Sequence, residues 1–379
     1  MILQVTPRYA PLPHGGAEGQ LRKLAPRLAA KGLRVAVLTW DGGQRSLPEF
    51  EVLDGVPVHR LREAWLSFHG ERRLPGVWMG ITLLGFLLRR RREVRFVHVH
   101  AFTELAFFAK LWCGLLRIPC VAKATGLESI QVGVRGRRGL VGRAMWRFMT
   151  RSGWMIAMSP TVANALRSSG VSGSRILLLP NGVEIPPGIP SRARKPGEGL
   201  LIAACSNLIR VKRLDLLIGA AAILGEEFRG LRWVVAGDGP ERRRLEDLCR
   251  ARGVAKIEWP GQVADVGALF RQADIFVHPS DFEGMSNSVL EAMAYGVPPV
   301  VRRADFHRDL VEDGETGLMF DGTEADLANR IRELVLDERA RVRLGQNAHV
   351  AARRYSFEIV CEEYLRLLTR LGIYGRRPQ

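Results

Sequence analysis

Short runs of four to six apolar residues recur along the whole chain, and helical stretches of ten or more residues separate most of them. The runs fall at 2–6, 34–39, 94–99, 119–124, 154–158 and 175–179 in the first half, and at 200–205, 232–236, 255–259, 274–278 and 298–301 in the second. Such alternation implies parallel sheets joined by right-handed crossovers, an α/β class. One segment departs from it. VLDGVPVHRL (52–61) sets Asp54-Gly55 between two β-like runs and reads as a hairpin inserted in the first half.

A length of 379 residues exceeds one ordinary core and points to two domains. The segment PNGVEIPPGIPSRARKPGEG (180–199) holds five prolines and several glycines, which suits a linker better than any element. The expected organisation is a first Rossmann-like domain over 1–180, a linker over 181–198, a second over 199–355 and a C-terminal helix over 356–379. Two doubly wound domains facing across a cleft would bring one substrate each, because ligands sit at the carboxyl ends of parallel strands. No signal peptide is expected, since Met1 leads straight into a strand-like run, and no apolar stretch reaches the length of a membrane span.

Charge is distributed unequally. Residues 1–190 hold 27 Lys and Arg against 11 Asp and Glu, whereas residues 191–379 hold 29 against 28. A one-sided basic domain faces a polyanion, either nucleic acid or an anionic membrane leaflet. Five scattered cysteines without a C-x-x-C pair read as free thiols in a reducing compartment.

Residues 281–301, DFEGMSNSVLEAMAYGVPPVV, carry the chemistry. Glu283 and Glu291 stand eight positions apart, and Gly284-Met285-Ser286-Asn287-Ser288 opens a short helix between them. A helix N-terminus presents unpaired N–H groups and a positive dipole end, a ready receptor for a diphosphate. The segment resembles the Glu-x7-Glu signature of the retaining glycosyltransferases of family 4, which have the GT-B fold. Other segments resemble the same family in order and spacing. Gly15-Gly16, before a helix near Ala17, resembles its Gly-Gly-x-Glu loop over the donor diphosphate; Glu18 stands in the first turn and Pro26 should kink the helix. RFVHVHAF (95–102) ends a strand at His100, where the family has a His that contacts the donor sugar; His98, on the same face, is the rival.

AACSNLIRVKRLDLLIGAAAIL (203–224) places Lys212 where the family has its phosphate-binding lysine. Asn207 stands at the family's Arg position and Arg213 at its Gly. The second charge on the leaving group then comes from Arg210 or Arg213, or Asn207 gives an uncharged hydrogen bond. VVAGDGPERRRLEDL (234–248) carries Gly237 at a turn near the nucleotide, and Gly261-Gln262-Val263 would lie beside the base. Asp274 and Ser280 brace strands. The resemblance extends through PNGV (180–183), ETGLMF (315–320) and a helix beginning YSFE (355–358), so it covers the whole chain.

It implies a nucleoside diphosphate sugar, linked to uracil or guanine, as donor, with retention at the anomeric carbon and no metal or other cofactor. Glu291 would bind the ribose, Glu283 the sugar, and Lys212 with the helix start at Ser286–Ser288 the diphosphate; Glu283, Lys212 and His100 form the catalytic set. Lys123, Thr125 and Gly126, at another strand end, are the acceptor-side candidates. LPGVWMGITLLGFLLRRRREVRF (74–96) and VRGRRGLVGRAMWRFMTRSGW (134–154) interleave arginines with aromatics. The first suits a core helix or a bilayer interface equally, and the second favours the interface. The expected acceptor is a lipid-linked saccharide or glycolipid, with the enzyme peripheral on the cytoplasmic face of the plasma membrane and acting in cell-surface polysaccharide synthesis. Two other functions remain: a nucleotide-sugar epimerase of the same architecture, and a basic nucleic-acid binder. The near-neutral second half and the lack of a nucleic-acid module speak against the latter, and the lopsided charge against the former.

Overall fold

The computed structural model describes residues 1–12, 15–63, 67–68, 71–72, 75–127, 130, 139–190, 199–254 and 257–374. It divides into two compact units, Met1–Gly182 with Phe357–Gln379, and Val183–Ser356.

The first unit is built on eight strands. These are β1 (Ile2–Val5), β2 (Val35–Trp40), β3 (Phe50–Leu53), β4 (Val56–Leu61), β7 (Phe96–Val99), β8 (Cys120–Ala124), β9 (Trp154–Ala157) and β10 (Ile176–Leu178); a separate two-stranded ribbon joins β5 (Ser67–Phe68) and β6 (Glu71–Arg72). Their order is β10-β9-β8-β7-β1-β2-β4-β3, and every pairing is parallel except β3 with β4. The central strands are buried on both faces, which is why they read as unbroken apolar runs. The hairpin turns at Asp54 (φ 51°) and Gly55 (φ 78°), two successive left-handed residues that match the twist of its strands.

The C-terminal helix Phe357–Arg370 belongs to this unit. Its buried Phe357, Val360, Cys361, Tyr364, Leu367 and Leu368 recur at helical spacing and join the core of Ile2, Leu21, Val37 and Phe96. The helix Gly16–Ala30 runs through Pro26 as one element.

The second unit holds β11 (Leu201–Cys205), β12 (Arg232–Ala236), β13 (Ile257–Gly261), β14 (Ile275–His278), β15 (Pro299–Arg302) and β16 (Leu318–Phe320), all parallel in the order β13-β12-β11-β14-β15-β16. Helices cover the sheet, and one core gathers Ile202, Leu217, Trp233, Val300, Phe320 and Ile331. Of the segment expected as a linker, 183–190 is part of this unit. Val183 N donates to Tyr355 O at 2.9 Å, and Ile189 packs over Gly296. Residues 191–198 lie outside the described set.

Candidate active site

In an open parallel sheet, ligands bind outside the carboxyl ends of the strands at the point where the strand order reverses. In the second sheet the chain starts at β11, moves outward through β12 and β13, then restarts on the other side at β14, so the reversal lies between β11 and β14. The loops leaving these two strands are tied together. Asp281 N donates to Val211 O at 2.8 Å, and Ser280 Oγ to the same carbonyl at 3.3 Å.

The first loop closes in a 3-10 turn, Arg210–Lys212, and Arg213 follows with φ 49°. Lys212 Nζ donates to Glu283 Oε1 at 2.5 Å. His278, the last residue of β14, brings Nε2 to within 2.7 Å of the same oxygen. Ser286 Oγ lies 3.3 Å from that nitrogen and caps the helix Asn287–Ala294 by accepting from Val289 N. One oxygen of Glu283 therefore takes hydrogen bonds from an ammonium and an imidazole, and the start of a helix stands beside them.

Burial alone would raise the Glu283 pKa. The hydrogen bond from His278, with the charge and hydrogen bond of Lys212, outweighs it and holds the carboxyl well below its usual range. His278 is pushed below its ordinary value by burial, against the pull of Glu283. Behind it His307, ring centroids 5.5 Å apart, is lowered to about 3, chiefly by burial. His307 donates through Nδ1 to Arg302 O at 2.8 Å, and its Nε2 has no partner among the described residues. Both rings are neutral near pH 7, so Glu283 is the anion of the group and Lys212 its cation.

Glu291 lies on the helix Asn287–Ala294 itself, close enough to Cys205 at the end of β11 that its charge, after burial, helps push that thiol up to about 12. Gly284 and Met285 are buried; Asn287 and Ser288 are half-buried at the helix start, with Ser288 Oγ 3.3 Å from Ser286 Oγ. Gly237 (φ 129°) and Gly239 let the turn after β12 press on the loop after β11. A Cβ would stand 1.9 Å from Ser206 O at the first and 2.5 Å from Leu208 O at the second. Gly261 (φ 76°) ends β13, and its carbonyl accepts from Gly237 N at 2.7 Å; Val263 is half-buried beyond it. Asn207 and Arg210 are exposed. Arg213 is engaged by Asp215, its NH2 3.0 Å from Oδ2, and by Asp281, which also pairs with Arg302. Asp274 braces β11 through Leu201 N at 2.7 Å.

In the first sheet the reversal lies between β1 and β7. His100 follows β7, and its backbone N donates to Val5 O at 2.8 Å. Its ring belongs to a buried relay. His100 Nε2 donates to Gln4 Oε1 at 2.7 Å, Gln4 Nε2 donates to Tyr364 Oη at 2.9 Å, and that hydroxyl shares a hydrogen bond with His98 Nδ1 at 3.1 Å. His98 stacks on His100 at 4.0 Å, and burial holds both pKa values well down. The relay leaves His100 Nδ1 an unprotonated acceptor, with no partner among the described residues. Gly15 caps the helix Gly16–Ala30, and Glu18 Oε2 accepts from its N–H at 3.0 Å; Gly15 and Gly16 are both exposed. Lys123, near the end of β8, is buried. It donates to Asn181 Oδ1 at 2.7 Å, and burial lowers it to about 8. Thr125 and Gly126 are half-buried just beyond.

His278 is the residue that sequence reasoning passed over. The signal was available: like His100, it ends a buried strand at a carboxyl edge, here five residues before Glu283. Part of the second arginine-rich segment is packed inside the fold. On the helix Leu140–Arg151, Trp146 and Met149 are buried, Trp146 meeting Phe102 edge-on at 5.8 Å and donating to Ser169 O at 3.0 Å. Arg143, Arg147 and Arg151, four residues apart, stay exposed along the same helix. Residues 134–138 of that segment lie outside the described set. The helix Pro75–Arg89 packs on Glu104–Leu116, with Phe108 lying across Gly80, and leaves Ile81 and Leu88 exposed. Among the described residues no helix is long and apolar enough to cross a membrane.

Two largely parallel sheets, each with polar and glycine-rich loops at its point of reversal, are the architecture of the GT-B fold. The model for glycosyl transferases group 1 matches residues 189–350, and that for Glycosyltransferase Family 4 matches residues 14–185. The chain belongs to this family. It is 31% identical over 176 residues to the lipopolysaccharide core biosynthesis glycosyltransferase LpsE of Rhizobium meliloti, a match spanning 46% of this chain and about half (51%) of the relative. It is 26% identical to the GDP-mannose:cellobiosyl-diphosphopolyprenol alpha-mannosyltransferase of Komagataeibacter xylinus, over 97% of this chain and 92% of the relative. The crystal structure of Anabaena Alr3699/HepE in complex with UDP and glucose has the same fold, with a TM-score of 0.77 at 20% identity, covering 97% of this chain and 99% of that one.

Proposed function

We propose that the chain transfers a sugar from a nucleoside diphosphate sugar to a hydroxyl acceptor, with retention of the anomeric configuration. The observation that carries this reading is the meeting of Lys212, Glu283 and the Ser286-capped helix start at the reversal point of the second sheet. A diphosphate there would receive the Lys212 ammonium and backbone N–H groups of the helix start, and charge developing on the leaving group would be met by fixed donors. Glu283, kept ionised and held by His278, would accept from hydroxyls of the donor sugar when Lys212 turns to the phosphate. Glu291 would accept from the ribose. Arg210 is the better candidate for the second charge, because Arg213 is already engaged by Asp215 and Asp281. His100 Nδ1, held unprotonated, would accept from a sugar hydroxyl.

The acceptor hydroxyl would attack from the side the diphosphate leaves, and a departing phosphate oxygen would take its proton. This scheme asks no metal to balance the leaving group, so full turnover is expected in the presence of EDTA. A lipid-linked saccharide or glycolipid on an anionic membrane face is the proposed acceptor, supported by the basic first half of the chain and by the diphosphopolyprenol acceptor named for the K. xylinus relative. Thermal-shift measurements against a panel of UDP- and GDP-sugars test the donor. One of them is expected to raise the melting temperature by mass action. The anomeric configuration of the product, read by NMR, tests retention. No shift with any nucleotide sugar, or an inverted product, contradicts the proposal.

A further inference from the structure

The basic excess of the first half is not spread evenly over the first unit. In its sheet β7, β8, β9 and β10 are neighbours, and each is entered behind an arginine: Arg95, Arg117, Arg151 and Arg175. This is the edge opposite to the one that carries His100 and Lys123. At its β9–β10 end lies a recess of about 580 Å³, lined by Arg151, Arg167, Arg175, Thr150, Ser172 and Ser174, with no acidic residue in its wall. Arg167 is steadied by an amide oxygen rather than a carboxylate, its NH1 2.5 Å from Asn164 Oδ1. The Ser172 and Ser174 hydroxyls stand 2.9 Å apart. The buried Lys110 ammonium donates to two carbonyls that flank Thr150 and Arg151 in the chain, Met149 O at 3.0 Å and Ser152 O at 2.8 Å. Burial pushes it down to about 8, and the charge of Arg175 acts in the same direction. Along the helix Leu140–Arg151, exposed Arg143 and Arg147 continue the stripe that ends in Arg151.

Three guanidinium groups around one concavity repel one another unless an anion joins them. Guanidinium forks match phosphate oxygens two at a time, and hydroxyls supply the remaining donors. We propose that this recess is a binding site for a phosphoryl group, separate from the candidate active site. The group comes either from a small soluble phosphate or from the headgroup of an anionic lipid.

Two assays on the full chain distinguish the sources. Inorganic phosphate is titrated by calorimetry at low ionic strength. Co-sedimentation is measured with vesicles of phosphatidylcholine alone and of phosphatidylcholine mixed equally with phosphatidylglycerol. Both are repeated on the double variant Arg151→Gln/Arg175→Gln and on Arg366→Gln/Arg370→Gln, which removes the same charge from the C-terminal helix. The first pair is expected to weaken binding about tenfold and the second to leave it unchanged. Arg151→Lys/Arg175→Lys, which keeps the charge and loses the fork, is expected to fall between and guards against loss through unfolding. Saturable phosphate binding identifies the soluble source, and vesicle binding without it identifies the headgroup. Absence of both in the unmodified chain, or equal loss in the two glutamine pairs, overturns the proposal.

Discussion

At the scale of single residues, the candidate site turns on one carboxylate oxygen. Glu283 Oε1 receives Lys212 and His278 together, so without substrate the lysine is neutralised by a neighbour that itself has a task once substrate is present. Under the proposed function a diphosphate would compete for Lys212 and leave Glu283 to the donor sugar, while His278 would keep the carboxylate in place. Removing a charged donor from a developing anion costs about 3–4 kcal/mol of transition-state stabilisation. Lys212→Ala and Glu283→Ala are each expected to lower turnover by about a hundredfold or more, with the far-UV circular dichroism of the fold retained. Near-normal turnover in purified Lys212→Ala contradicts the assignment. Both residues were legible from their places in the motifs. His278 could be placed by the same signal as His100, a histidine ending a buried strand at its carboxyl edge, but that its ring meets the oxygen Lys212 meets could not.

At the scale of elements, glycines and buried faces decide where the loops go. Gly237 combines φ 129° with a Cβ position 1.9 Å from Ser206 O, so any side chain there both strains the backbone and drives the turn off the loop that carries Lys212. The strain alone costs on the order of 1–3 kcal/mol, and the clash adds to it. Gly237→Ala is expected to lower the urea midpoint markedly and to weaken nucleotide-sugar binding with it; an unchanged midpoint contradicts this reading. The strands were readable because parallel strands buried on both faces show as continuous apolar runs, and the Asp54-Gly55 hairpin because its turn demands those residue types. The helix Leu140–Arg151 was less readable. Its arginines at 143, 147 and 151 are exposed and Trp146 and Met149 are buried, but in the sequence they stand interleaved. The sequence favoured an interface for this segment, and in the fold Trp146 and Met149 are buried while the arginines stay exposed.

At the scale of the whole molecule, the chain completes its first unit only at its end, when Tyr364 enters the relay joining Gln4, His98 and His100. The two-unit division followed from length and alternation, but the exact break did not, since 183–190 looks like linker by composition and is anchored by backbone and packing contacts. Five histidines, His59, His98, His100, His278 and His307, have pKa values lowered mainly by burial. A lowered folded pKa means that the unfolded chain binds more protons below the ordinary value of 6.5, so stability is fully present above that pH and falls as pH drops through it, reaching for His307 to about 3. Glu283, also depressed, adds a second loss below its ordinary 4.5. The urea midpoint is expected to fall between about pH 7 and about pH 5, and a midpoint independent of pH over that window contradicts the neutral, buried state of these rings.

The central claim is that a nucleoside diphosphate binds at the reversal point of the second sheet. A crystal structure of the chain with UDP or GDP tests it most directly. The account predicts phosphate oxygens within hydrogen-bond distance of Lys212 Nζ and of the backbone N–H groups at Ser286–Ser288, with the ribose against Glu291. A diphosphate bound elsewhere, or a Lys212 that stays on Glu283 with the nucleotide present, contradicts it.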